Sequence, residues 1–186
     1  MRDMTLAFLS AYSVLDKIAF LLNNYFQLRV PERRVSFRNI WYAGDGAGRK
    51  LRTEFSSSRN WPLRGLFWLS KDFYEEDTGF RDSIEPDAQE LNVIRNHLAH
   101  KYLKVHDDVL WRGRQEEFDF FVDRLCLSIR RGELTRKTMK LFKIVRSALI
   151  YCSLAIYLEE SFSKDKKPED RTAPMFLDVL EDSSKT

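Results

Sequence analysis

The chain has 186 residues and a mass of 22.1 kDa, with 44% hydrophobic and 32% charged residues. That balance excludes a wholly disordered chain, and the length suits one domain, whose folding hides roughly 70% of the surface an unfolded chain exposes. The 31 basic and 28 acidic residues leave +3, an excess too small to mark a nucleic-acid binder unless the charges are concentrated somewhere. Seven glycines and five prolines are few for this length, which favours a few long helices over a many-stranded β sandwich. Cys126 and Cys152 both lie in apolar runs; two cysteines cannot make a disulfide framework or a zinc site, and both read as reduced core thiols. The N-terminus lacks the cleavage pattern of a signal peptide, and no window holds the ~18 uninterrupted apolar residues of a membrane span. The expectation is a cytoplasmic protein with no membrane contact.

In chain order, residues 4–27 predict an amphipathic helix with Leu6, Leu9, Val14, Ile18, Leu21, Leu22 and Phe26 at spacings of three and four. Its start close to Met1 leaves open that the chain is one module of something longer. Residues 29–60 then break the periodicity, with Gly44, Gly46, Gly48 and a serine run at 56–58, and read as a long irregular segment. Within residues 29–64 nine basic residues face three acidic ones, so the positive charge of the chain is local. Asn60 is placed to cap a short helix running to about Glu76, with Pro62 in its first turn. Pro86 opens a further helix to about Val105. Residues 118–130, with alternating Leu125, Leu127 and Ile129, read as extended, and Thr135 as the cap of a last helix to about Phe162. Residues 163–186 are expected to form a flexible charged tail with one apolar patch at Met175–Leu180. The GDGAG stretch at 44–48 reads as a flexible turn, because a phosphate-binding loop requires a Gly-Lys-Ser/Thr sequence that does not follow. The fold class is therefore all-α, with a domain at 1–162 and a tail at 163–186.

The most informative segment is PDAQELNVIRNHLAHKYLKV at 86–105. At roughly 100° per residue, Ala88, Leu91, Ile94, Leu98, Ala99, Tyr102 and Val105 fall on one arc. Glu90, Asn96, His97, His100, Lys101 and Lys104 fall on the other. Arg95 sits near the middle of the apolar arc, a costly place for a charge unless it is paired or lines a cavity. One reading makes it structural, bound to a buried carboxylate or to carbonyls at a helix end. Asn96 and His100, four apart, are neighbours on one face, with His97 beside them. Two of the chain's three histidines lie here, and the third, His106, is one turn further on.

These residues resemble the motif of the HEPN superfamily: an arginine, a polar residue, then a histidine after four to six intervening positions. Arg95, Asn96 and His100 match it in the Arg-x4-His spacing. SFRNIWY at 36–42, LRGLFWLSKDFYE at 63–75 and IRRGELTRKTMKLFKIVRSALIY at 129–151 look like the LA2681-type branch, so that the resemblance spans roughly residues 8–160. It implies a bundle of four to five helices and a metal-independent endoribonuclease of toxin or defence type. The site would be composite, built where the motif helices of a homodimer face each other, with no cofactor and no metal. In that frame His100 is the general base or acid, Arg95 stabilises the phosphate, Asn96 orients, and His97 is an accessory. The basic segment would hold RNA through Arg33, Arg34, Arg38, Arg49, Lys50 and Arg52, with Trp41, Tyr42 or Trp61 stacking on bases. His100-Lys101-Tyr102 also resembles the form of the motif found in HEPN toxins paired with a nucleotidyltransferase antitoxin, which implies Tyr102 as a nucleotidylation site. Its alternatives are a plain core tyrosine at 102 and, for the whole chain, a non-catalytic RNA-binding or dimerisation module or a helical scaffold.

Overall fold

The computed structural model describes residues 2–44, 50–74, 86–107 and 126–166. Five α-helices dominate: α1 (Arg2–Tyr25), α2 (Thr53–Ser56), α3 (Trp61–Tyr74), α4 (Pro86–His100) and α5 (Arg131–Lys166). Two small sheets join them, β1 (Tyr42–Ala43) antiparallel to β2 (Lys50–Leu51), and β3 (Tyr102–His106) parallel to β4 (Cys126–Arg130). The helical class is as expected. Apolar residues from the helices and from the segment between α1 and α2 meet in one core, with α1 and α3 laid against α5 and α4 packed on α1 and α3.

In α1 the buried stripe is Phe8, Ala11, Tyr12, Leu15, Ile18, Ala19 and Leu22. This corrects the expected stripe, since Leu6 is 63% and Leu21 44% exposed. The helix is apolar on most of its circumference, so spacing alone admits more than one face; the aromatics Phe8 and Tyr12 decide it. Both α1 and α5 are long and apolar enough to cross a membrane by length and composition, although charged residues interrupt each of them. In α1 the stripe from Phe8 to Leu22 packs into the core, while Leu6, Phe20 and Leu21 stay exposed. The outer side of α5 exposes Met139, Phe142, Leu149, Ile150, Leu154 and Tyr157.

The segment after α1 is irregular, as expected, but its described residues also carry part of the core. Phe37, Ile40 and Trp41 are fully buried, and Phe55 and Val35 nearly so. Trp41 packs edge-on to Phe37 and against Phe55 and Phe67, and its indole N–H donates to the Phe37 carbonyl at 2.8 Å. Polar clamps fix the path around these rings. Asn23 exchanges two 3.0 Å hydrogen bonds with the backbone of Val30, Asp16 accepts from the Phe37 amide at 3.0 Å, and the Ser70 hydroxyl donates to the Phe37 carbonyl. The chain leaves α1 through left-handed Gln27 and Arg29 (φ 50° and 56°), which turn it back onto that helix. Charge and glycine content mark the surface of such a segment and say little about the apolar side chains beneath it.

Three boundaries also differ from expectation. The helix begun at Pro86 stops at His100, and residues 102–106 form β3 in register with β4, Tyr102 opposite Cys126 and His106 opposite Arg130. The extended reading of 126–130 is correct, while residues 118–125 lie outside the described residues. Thr135 does not cap α5. It lies inside the helix, which starts at Arg131, and its hydroxyl donates to the Arg131 carbonyl at 3.0 Å. The helix also passes the expected end at Phe162 and reaches Lys166; Met175–Leu180 lies outside the described residues. Asn60, fully buried, does cap α3. Its Oδ1 accepts from the Leu63 amide at 3.1 Å, and its Nδ2 donates to the Ala155 carbonyl and to Glu159 on α5. Cys152 is buried in the core, and Cys126 is half-buried on β4; both are free thiols.

If the basic segment is part of the core, Trp41→Ala will destabilise the fold by about 3–5 kcal/mol. Urea unfolding followed by far-UV circular dichroism measures this, and a loss within error of zero would return the segment to the status of a loop.

Candidate functional site

Helix α4 carries the motif on its last two turns. Proline at the first position suits a helix start, where an N–H would have no intrahelical partner. Ala88, Leu91 and Ile94 pin the helix to the core, and Glu90 forms an ion pair with Lys137 of α5. Lys137 is 2% exposed, so this pair fixes α4 against α5 through a desolvated ammonium. Nothing in the sequence around Lys137 distinguishes it from the solvated lysines nearby, and it was not expected to be buried.

Arg95 is half-buried, but no carboxylate holds it among the described residues. Its Nη1 donates to Asn96 Oδ1 at 3.0 Å, and its guanidinium lies 5.5 Å from the centre of the Tyr12 ring. The expected pairing of a structural arginine with a buried acid is absent there. His100 is the last residue of the helix and exposed. His97 turns onto its own helix, Nδ1 donating to the Val93 carbonyl at 2.9 Å. The closing turn is completed by the Lys101 amide, which donates to the His97 carbonyl.

Tyr12 is 3% exposed, and a buried phenol requires partners. Its hydroxyl donates to Asn92 Oδ1 at 3.1 Å and lies 2.7 Å from the Tyr74 hydroxyl, which donates to it. Arg38 stands 5.7 Å over the Tyr74 ring. Burial pushes the Tyr12 phenol well above its ordinary value, and the adjoining Tyr74 adds to the rise while Arg95 opposes it. Burial also raises Tyr74. Beneath Arg95 there is thus a hydrogen-bonded pair of phenols, on both of which the Asp16 carboxylate also acts.

A family model described as LA2681-like HEPN matches residues 1–159. The chain belongs to the LA2681-like HEPN family. No curated protein and no solved structure matches it. Membership ties this HEPN domain to nuclease or other RNA-related function.

The remaining site expectations for the HEPN domain divide. Arg33 and Arg34 are exposed on a short 3-10 turn (Glu32–Arg34), and Lys50 is exposed on β2. Arg52 is largely committed to structure, its Nε donating to the Ile40 carbonyl at 3.1 Å. Arg49 lies outside the described residues. Trp41 cannot stack on a base, because the core encloses it; Tyr42 is half-buried, and Trp61 is 74% exposed. Tyr102 is not one helical line from Arg95. It sits on β3 and is 73% exposed, so it is not a core tyrosine either.

Two outcomes follow for this network. Tyr12→Phe keeps the ring under Arg95 and strips the hydroxyl from Asn92 and Tyr74, at about 1–3 kcal/mol, or a fall of roughly 2–10 °C in Tm. A calorimetric Tm unchanged from the parent would show that the hydroxyl is dispensable. The raised phenols, Tyr12, Tyr74 and the half-exposed Tyr25 (which donates to Glu160), keep their protons in the fold beyond the pH near 10 at which an unfolded chain loses them. The stability they contribute is complete below that pH and falls as the pH rises past it. Thermal melts from pH 8 to 11 should show the decline, and the Tyr12→Phe/Tyr74→Phe protein should show a shallower one.

Proposed function

We propose that this HEPN domain is a metal-independent endoribonuclease of toxin or defence type, acting on cytoplasmic RNA through Arg/His sets contributed by two copies of the chain. The observation that supports this reading is the end of α4, where an exposed His100 follows an Arg95 held by Asn96 and by no carboxylate among the described residues. Such a guanidinium remains available to fork onto phosphate oxygens and to stabilise the charge that grows on phosphorus during attack. Histidine, with an ordinary pKa of ~6.5, exchanges protons near neutral pH. His100 would take the 2′-hydroxyl proton, or deliver one to the leaving 5′-oxygen. The 2′-oxygen then bonds to phosphorus, the bond to the 5′-oxygen breaks, and the products carry a 2′,3′-cyclic phosphate and a free 5′-hydroxyl.

Arg95 and His100 are five residues apart, which turns them about 140° from each other around one helix. A single α4 does not aim both at one point. A second copy across a two-fold axis would set one protomer's His100 near the partner's arginine, which is why the dimer belongs to this reading. Arg95 lying half-buried on Tyr12 favours a second reading, a helical RNA-binding or dimerisation module that does not cleave.

Incubation of purified protein with RNA in excess EDTA separates the two. Cleavage with cyclic phosphate ends is expected, reduced at least about 100-fold in His100→Ala and in Arg95→Ala. Undiminished cleavage in both variants would remove them from the chemistry, and salt-sensitive binding without any cleavage would favour the second reading. The same family resemblance supports a nucleotidyltransferase-type antitoxin as partner, with the exposed Tyr102 hydroxyl as its acceptor. Intact-mass analysis after co-expression with such an enzyme should show an added nucleotide, lost in Tyr102→Phe; an identical mass gain in that variant would move the modification elsewhere.

A further inference from the structure

The outward side of α3 has no role in the motif. Trp61, Arg64, Trp68 and Lys71 recur there at spacings of three, four and three, which puts them in one stripe along the helix. Trp61 is 74% and Trp68 50% exposed, although large aromatic side chains are usually drawn inside. The stripe is built rather than frayed. Arg64 lies 5.2 Å over the Trp61 ring while its Nη2 donates to the Ser58 carbonyl at 3.0 Å, and Lys71 stands 5.9 Å from the Phe67 ring. Beside Trp68 opens a cavity of about 240 Å³, walled by Leu51, Phe55, Leu63 and Phe67, with Arg64 and Ser56 as its polar lining. It is smaller than the roughly 300–1,000 Å³ pockets that take drug-sized molecules. Along the sequence, residues 50–71 hold Lys50, Arg52, Arg59, Arg64 and Lys71 against a single acid, Glu54, with Asp72 next on the helix and Glu159 of α5 bonded to Ser58 and Asn60 at the start of α3.

We propose that this face is a base-stacking site for single-stranded RNA. Trp61 and Trp68 stack on unpaired bases, the cavity beside Trp68 receives one base, and Arg64 and Lys71 hold the phosphates between them. Flat π-faces in a positively charged surround match a chain whose charge is regular and negative and whose bases are free to splay. A duplex cannot use the tryptophans, because its bases are already stacked on one another. Charge also favours nucleic acid over a protein partner, since a polyanion meets the Arg64 and Lys71 cations along the stripe with its regularly spaced phosphates. The fourteen residues of α3 cover about 20 Å, and its far end carries Tyr74, which bonds Tyr12 beneath Arg95. A strand laid along α3 is therefore led toward the motif helix. The inference rests on the RNA-directed reading of the chain and adds the substrate class, unpaired RNA, and the side chains that select it.

The test uses the full chain carrying His100→Ala and a fluorescein-labelled twelve-nucleotide oligouridine RNA, with affinity read by fluorescence anisotropy. Trp68→Ala should weaken binding about tenfold and Trp61→Ala/Trp68→Ala further, whereas Trp68→Phe retains most of the affinity. Binding of a duplex RNA of the same length should be equal in all of them. Both tryptophans are exposed, and an unchanged Tm confirms that each variant is folded. Equal affinity for oligouridine in the folded double variant overturns the proposal. So does a change from dimer to monomer by light scattering in that variant, since the face would then belong to a protein interface. Cleavage by the otherwise unaltered chain is scored separately. Tryptophan-dependent binding without cleavage supports this site and sinks the ribonuclease reading; cleavage with tryptophan-independent binding does the reverse.

Discussion

The hydroxyl of Tyr12 ties three helices together, and the ring that carries it lies beneath the motif arginine. It comes from α1, donates to Asn92 on α4 and accepts from Tyr74 on α3, while the face of its ring supports Arg95. A phenol buried this far cannot go without partners, so the three helices can close only in the arrangement that supplies them. Held this way, Arg95 is positioned without a carboxylate partner among the described residues. The ring offers attraction without a proton or a formal charge, and Asn96 offers an oxygen; neither neutralises the guanidinium, as an aspartate would.

The electrostatic character of the protein follows from a second constraint, the aromatic cluster of Phe37, Trp41, Phe55 and Phe67. It draws the most basic stretch of the chain down onto the fold and fixes where its arginines emerge. Among the described residues, Arg33, Arg34 and Lys50 of this stretch are exposed while the apolar rings between them are buried. A net +3 spread over the whole chain conceals this, because the remainder is acidic overall.

How much of this was legible depends on how far each residue's partner lies along the chain. The start of α4 at Pro86, the Asn60 cap, the strand character of 126–130 and the charge segregation are local, and each could be read from neighbouring residues. The motif also reads locally, as three residues on one helix. The end of α4 does not. Tyr102–His106 leaves helix because a strand from beyond residue 125 pairs with it, and no nearby glycine or proline announces the change. Lys137 is hidden for the same reason, its partner Glu90 being 47 positions away. For α1 the difficulty was surplus, since apolar residues on nearly every side permit several stripes. Trp41 reads as a surface ring because arginines and glycines around it dominate any local average.

The unbroken length of α5 has a mechanical meaning. Its 36 residues extend about 54 Å, with no proline and no internal glycine beyond Gly132 to bend them. Near one end Lys137 grips the motif helix through Glu90; near the other, Glu159 and the Ala155 carbonyl grip Asn60, the residue that starts α3. A stiff rod fastened at both places cannot tilt at one without moving at the other. The tryptophan end of α3 and the base of the motif helix are consequently parts of one frame, and strain applied to either is shared by both.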